Sequence, residues 1–295
     1  MLEEERDFEG ILEQSTIFVK DLEEIVDIVL NAEEIFFYDT GSIASHERIY
    51  HSSEKNLLRH YEKGQYPIII TDTILRELKL TQRNLEYLAQ FSKLIYLREE
   101  DFFNLLNVEI ETRQATGRFL NSSIKAFSDF IPLKESVSAV ENISGADTEV
   151  ILQFNSFFEE IDNKSKGEIS LLWCSLIISN LSINGRMNFI SKDSDLYSFV
   201  NRCYAPNPYL ISNKPKPRIT LMSNEVLIQG IHNSETIPYE EFCEYLNLYR
   251  DDVHRGVIYF NKQNNVMDYN SVVKKSFTND ELRDHIVSNQ IKIIY

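Results

Sequence analysis

Five carboxylates stand where apolar segments end or where helices open. Asp39 closes the strand-like run IFFYD (35–39). Glu77 lies in TDTILREL (71–78), a helix-like stretch that follows YPIII (66–70). Glu168 opens EISLLWCSLIISNL (168–181), and Asp193 and Asp195 follow MNFIS (187–191). In an open parallel sheet, ligands bind beyond the carboxyl ends of the strands. If these strands run parallel, the acids share that edge. Crowded carboxylates raise one another's pKa, so such a group calls for a cation. Ligands that are all oxygen suit Mg²⁺ or Mn²⁺. Divalent ions held this way activate water and stabilise the oxygens of an in-line displacement, the chemistry of phosphodiester cleavage. Each acid alone is also a good helix N-terminal residue. It is the ordered series that points to a site.

The elements needed to position these acids are legible. Apolar, β-branched runs at 35–39, 66–70, 93–97 and 187–191 alternate with helical patterns at 43–61, 71–80, 147–161, 168–181 and beyond 192. This alternation over 35–205 predicts an α/β layered fold with a mainly parallel sheet. Residues 8–31 have the i, i+3, i+4 spacing of amphipathic helices, and 99–145 are mostly helical in pattern. Proline density rises in PNPY and NKPKP (206–217), where a boundary is expected. Past it, RITLMSNEVLIQGI (218–231), GVIYF (256–260) and IKIIY (291–295) read as strands. Tyr239–Leu248 and Asp280–Ser288 read as helices, which suggests a smaller α+β module.

Composition narrows the chemistry. The 295 residues are 43 % hydrophobic and 26 % charged, ordinary for a globular chain with a buried core. Only nine are glycine, and neither GxxxxGK[ST] nor GxGxxG occurs, which excludes the usual phosphate cradles. No apolar run approaches the roughly 20 residues that cross a bilayer. The opening MLEEERDFEG has no signal-peptide pattern. Cys174, Cys203 and Cys243 form no CxxC, and the six histidines form no HExxH. Reduced thiols, a cytoplasmic location, no membrane association and no zinc site are therefore expected. The net charge is −16, which disfavours non-specific nucleic-acid binding. Residues 1–34 carry twelve of the acids against two bases, so the remaining body is only mildly acidic. This N-terminal segment reads as an amphipathic helical stretch or as a lid over a basic groove.

Four segments carry a family resemblance. YDTGSI (38–43), TDTILREL (71–78), GEISLLWCSLI (167–177) and FISKDSDLYSF (189–199) resemble, in order, the motifs of PIN-domain nucleases. The resemblance spans about 35–205. It implies a three-layer α/β/α sandwich with Mg²⁺ or Mn²⁺ bound for cleavage of single-stranded RNA. It makes Asp39, Glu77, Glu168 and Asp193 the catalytic metal ligands, with Asp195 as an additional ligand and Ser42 as a supporting hydrogen-bonder. Compact members lack a counterpart to the stretch at about 99–150, read here as a helical insertion, and to the module at 206–295. That module offers a surface for a protein partner or a second copy.

The substrate's phosphates need cations. Lys164 and Lys166 lie close before Glu168; Arg113 and Arg118, on the insertion, read as lining a substrate path or, in preference, as scattered charges on a solvated helix. Lys214, Lys216 and Arg218 read as a solvated linker. Trp173, at helical spacing with Ile169, Leu172 and Leu176, reads as core. Two other functions fit part of the pattern. An aspartyl-phosphate phosphohydrolase of the haloacid-dehalogenase type needs an acid two residues after its nucleophile, where this chain has Gly41. A non-catalytic partner-binding scaffold on the same fold fits the acidic charge.

Overall fold

The computed structural model describes residues 2–61, 66–127, 147–161, 165–181, 185–204, 219–234, 237–250, 256–263 and 266–295. Six strands build one sheet: β1 (Phe18–Val19), β2 (Glu34–Tyr38), β3 (Ile68–Thr71), β4 (Leu94–Leu97), β5 (Arg186–Ile190) and β6 (Ile219–Met222). Their order is β1-β4-β3-β2-β5-β6, and every pairing is parallel. The strands β2 to β5 are buried nearly end to end. An unbroken apolar run is what a strand needs when helices cover both faces of its sheet.

The helices are α1 (Leu2–Gln14), α2 (Leu22–Asn31), α3 (Thr40–Ser53), α4 (Asp72–Leu78), α5 (Gln82–Leu88), α6 (Phe102–Glu109) and α7 (Thr112–Phe127). They continue as α8 (Asp147–Glu160), α9 (Lys166–Ile178), α10 (Ser194–Tyr204), α11 (Asn224–Asn233), α12 (Tyr239–Tyr249) and α13 (Asn279–Val287). The architecture is α/β, a six-stranded parallel sheet flanked by helices, compatible with a three-layer sandwich. Among the described residues no helix is long and apolar enough to cross a membrane.

Topology decides where a ligand can bind. From β2 the chain steps outward through β3 to β4, then returns to lay β5 on the other side of β2. The connections therefore leave in opposite directions from β2 and β5, and a crevice opens beyond their carboxyl ends. The Asp39 N–H donates to the Ile190 carbonyl at 3.1 Å, which locks those two ends together.

Of the stretch read as an insertion, residues 128–146 lie outside the described residues, and α6 and α7 pack against α9. Helix α9 is buried from Gly167 to Ile178, as expected of a helix that is apolar all round. Trp173 sits among the rings of Phe102, Phe119, Phe127 and Phe158, with centroids 5.0–5.7 Å away. Its indole N–H donates to Ser123 Oγ at 2.9 Å.

The C-terminal part departs from expectation. Its first strand, β6, belongs to the central sheet, and the expected linker at 206–217 lies outside the described residues. The segment 218–231 is a four-residue strand followed by α11, not one long strand. Ser223 Oγ accepts the Val226 N–H at 3.4 Å, so Ser223 acts as an N-cap inside a β-branched run. Three further strands, β7 (Gly256–Gln263), β8 (Val266–Ser276) and β9 (Ile291–Ile293), form a separate antiparallel sheet in the order β8-β7-β9.

A buried polar chain ties this part to the central sheet. Tyr87 and Tyr38 share a hydroxyl bond at 2.7 Å, and Tyr38 reaches His46 Nδ1 at 2.6 Å. His46 Nε2 meets Asn224 Oδ1 at 2.7 Å, and the Asn224 amide donates to the Tyr249 carbonyl at 2.8 Å. Burial lowers the His46 pKa to about 4, so its ring is neutral. Replacing Asn224 with alanine leaves the imidazole nitrogen and the carbonyl unpaired in a dry interior. The expected loss in urea unfolding is about 2–4 kcal/mol; a loss under about 0.5 kcal/mol would show that the chain does not hold the two parts together.

Candidate functional site

Asp39, Thr40, Gly41, Glu77, Glu168, Lys192 and Asp193 line one open cleft of about 370 Å³. Four of the five expected acids therefore come together, each from a different element. Asp39 is the N-cap residue of α3 at the end of β2, Glu77 lies on α4, Glu168 is in the first turn of α9, and Asp193 follows β5. Asp195 stands exposed on the first turn of α10, apart from the cleft lining.

Small groups fix the acids. Ser191 Oγ donates to Asp39 Oδ2 at 3.2 Å and accepts the Asp193 N–H at 2.9 Å, joining both strand-end acids through one hydroxyl. Asp193 Oδ1 accepts the Asp195 N–H at 2.8 Å, which turns the chain into α10. Glu77 spans two helix starts. Its Oε2 accepts from Thr40 Oγ1 at 2.8 Å and its Oε1 from the Gly167 N–H at 3.0 Å. A Cβ on Gly167 would stand 2.5 Å from Glu77 Oε2, so any larger residue there displaces the Glu77 carboxylate from this position.

The electrostatics follow from burial and crowding. Asp39 is only 6 % exposed. Desolvation, then the charges of Asp193 and Glu77, raise its pKa to about 6 against the opposing pull of Ser191 and the Ser42 main-chain N–H. Glu168, 9 % exposed, rises to about 7, first by desolvation and then by the charges of Asp39, Asp193 and Glu77. Burial is the larger cause at both groups, and the neighbouring carboxylates add to it.

As they stand, the acids do not close on one point. Among the described residues no group of three or more His, Cys, Asp or Glu is close enough to hold a metal ion. The hydrogen bonds explain this: Glu77 is directed at Thr40 and Gly167, and Asp39 at Ser191. The donor set nevertheless fits a hard divalent cation in kind, being all oxygen, anionic and partly desolvated in one cleft.

The remaining expected residues lie elsewhere. Ser42 is buried, and its hydroxyl has no hydrogen-bond partner among the described residues; only its main-chain N–H bears on Asp39. Lys166 lines a neighbouring cleft, with Nζ on the Glu159 carbonyl at 3.2 Å and over the Phe158 ring at 4.9 Å. Lys164 lies outside the described residues. Arg118 Nη1 donates to the Asn180 carbonyl at 2.5 Å, past the carboxyl end of α9 and about 18 Å along that helix from Glu168. It caps a helix end, a favourable place for a cation. Helix α7 runs antiparallel to α9, since Ser122 meets the Leu176 carbonyl and Ser123 meets Trp173. Exposed Arg113 is therefore farther still, and neither arginine lines the cleft.

Sequence reasoning missed Thr40, Gly167, Ser191 and Lys192. Each lies within two residues of a chosen acid, so nearness in the chain was the available signal. Comparison with protein-family models, curated proteins and solved structures gives no match.

The raised Asp39 pKa sets a sign for stability. A carboxyl whose folded pKa exceeds its unfolded value favours folding below the unfolded value, near 4, and loses that contribution as pH rises through about 6. Asp39→Asn should therefore leave stability near pH 4 unchanged and raise it above pH 7 in the absence of divalent ions. The gain is at most about 3 kcal/mol. Thermal unfolding across pH checks this, and a variant less stable than wild type at pH 8 would contradict it.

Proposed function

We propose that this chain is a divalent-metal-dependent nuclease that hydrolyses phosphodiester bonds in single-stranded RNA. Asp39, Glu77, Glu168 and Asp193 would hold Mg²⁺ or Mn²⁺. The observation that carries the reading is the gathering of four carboxylates, from four separate elements, around one cleft at the point where the sheet's strand order reverses. The resemblance of the four segments to PIN-domain motifs supports it independently of the geometry.

When bound, the divalent ion supplies activation of water and neutralisation of charge building on the phosphoryl oxygens. The chain's own groups do the rest. Ser191 holds Asp39 and the Asp193 backbone in a fixed relation, so the two strand-end acids face the cleft together. Thr40 and Gly167 keep Glu77 at the cleft wall. Near neutral pH, Glu168 and Asp39 release protons as a cation takes their place, because their pKa values of about 7 and 6 lie close to ambient pH.

A second reading, the non-catalytic scaffold, draws on the failure of the acids to converge and on the net charge of −16. The two readings separate on metal binding. The nuclease should bind Mn²⁺ and cleave labelled single-stranded RNA with Mn²⁺ or Mg²⁺ but not with EDTA, and Asp39→Asn should abolish cleavage while remaining folded. Cleavage retained in Asp39→Asn, or a wild type that binds no Mn²⁺, would overturn the proposal.

Gly167→Ala offers a subtler check. The added methyl displaces the Glu77 carboxylate, whose Oε2 it would otherwise approach at 2.5 Å. Mn²⁺ affinity should fall about 10- to 100-fold, as when a group that orients a metal ligand is lost. Titration that finds wild-type affinity would remove Glu77 from the ligand set.

A further inference from the structure

We infer that the outer face of the small antiparallel sheet docks the phosphate backbone of single-stranded RNA, through Lys262 of β7, Lys274 of β8 and Lys292 of β9. The choice of RNA rests on the nuclease reading above. Antiparallel partners directly opposite one another point to the same face, as do residues two apart along a strand. Phe260 stands opposite Lys292 and Val272, and Ile258 stands opposite Lys274. The Lys262 N–H donates to the Gln290 carbonyl at 2.8 Å, which continues the pairing with β9. The three lysines therefore share one face. The other face packs inward, with Val257, Ile291 and Ile293 at most 2 % exposed. On the lysine face Val272 is 56 % exposed and Lys274 is exposed. The Lys274 stem lies across Gly256, where a Cβ would stand 3.0 Å from its Cε.

Three ammoniums on one face of a chain of net charge −16 call for an explanation. Elsewhere cations are met by carboxylates: Lys55 by Glu244 at 3.0 Å, and Arg283 by Asp280 at 2.7 Å. Among the described residues no ion pair joins Lys262, Lys274 or Lys292 to a carboxylate, and Lys262 Nζ donates to the neutral Asn289 side chain. Burial lowers the Lys292 pKa, and the Lys262 charge lowers it further; burial lowers that of Lys262 as well. Crowded, half-buried lysines are relieved by an anion. Lysines on edge strands also block unwanted strand pairing, which accounts for Lys274 on β8. It does not account for Lys262, which stands on the central strand β7.

The strip adjoins the carboxylate cleft through α10. The Tyr197 N–H meets the Asp193 carbonyl at 3.5 Å, and the Tyr197 ring lies 5.0 Å from that of Tyr295. The Ile258 N–H in turn donates to the Tyr295 carbonyl at 2.6 Å. From Ile258 to Lys262 the face runs about 14 Å along β7, so it suits successive phosphates of a strand rather than one small anion.

The test uses the full chain, the triple variant Lys262→Met/Lys274→Met/Lys292→Met and the triple variant Lys262→Arg/Lys274→Arg/Lys292→Arg. Fluorescence anisotropy follows a fluorescein-labelled oligouridylate, long enough to reach from the cleft to the sheet, in Ca²⁺ at several salt concentrations. Mn²⁺ titration and light-scattering mass are measured alongside. The methionine variant should bind the oligouridylate about 10- to 100-fold more weakly, with a salt slope lower by about 2. Its Mn²⁺ affinity should match wild type. The arginine variant should keep both the affinity and the slope. Unchanged affinity and slope in the methionine variant overturn the assignment. If that variant then self-associates, the lysines only guard the sheet edge; if it instead loses a dimer that wild type forms, the face belongs to a second copy. An equal loss in both variants would make the lysines structural and also overturns it. If wild type binds Mn²⁺ and cleaves RNA while the methionine variant loses nothing, only this assignment fails. If wild type binds no Mn²⁺ yet the methionine variant loses RNA affinity, the nuclease reading fails and the docking face stands.

Discussion

Repulsion among four carboxylates at one sheet edge is the constraint around which the rest of the structure is arranged. Burial and mutual charge lift Asp39 to about 6 and Glu168 to about 7, so the fold holds these groups against their preference for water. Local hydrogen bonds from Ser191, Thr40 and the Gly167 N–H offset part of that cost. The arrangement exists because strands β2 and β5 are neighbours, locked by the Asp39 N–H to Ile190 carbonyl bond. It also requires the last turn of α4 and the first turn of α9 to lie within reach of the same edge, where Glu77 meets Thr40 and Gly167. The cost falls on the strand ends and is carried by the core behind them.

That core is unusually committed to α9. A helix buried along its whole length must find apolar partners on every side, and Trp173 with its ring of phenylalanines supplies one of them. Helices α6, α7 and α8 are thus the packing that allows Glu168 to be presented from a buried helix. Similarly, Tyr38 lies under Asp39 and begins the polar chain through His46 to Asn224. Strand β6 and α11 brace the same edge from the far side. The site therefore draws on residues from nearly the full length of the chain.

Much of this was legible in the sequence, for physical reasons. Strands buried on both faces tend to be continuous apolar runs, and 35–38, 68–70 and 94–97 are such runs, while 187–190 is apolar except for buried Asn188, whose amide donates to Glu34. Acids at strand ends are visible because the polarity changes abruptly there. What was not legible depended on packing between elements. Arg118 carries the same sequence signal whether it lies over a cleft or caps a distant helix end; only the antiparallel packing of α7 on α9 decides. Lys166 sits two residues from Glu168 yet faces another cleft, because successive side chains on a helix point about 100° apart. The run 218–231 hid a helix because Ser223 is a cap embedded among residues that also suit a strand. Gly167 could be seen, but the carboxylate pressed against it could not.

The acidity of the chain bears on what could enter the cleft. Several arginines are already paired with carboxylates, among them Arg76, Arg83, Arg98, Arg186 and Arg283. Exposed pairs of this kind add little stability, but they withdraw cations from any ligand. A polyanion thus approaches against a mean negative field and gains attraction only where local charge reverses it. A long duplex lays many phosphates across such a surface and is repelled along its length. The net charge therefore disfavours extended nucleic acid on the surface at large, and on the proposed nuclease reading the cleft would take a phosphodiester.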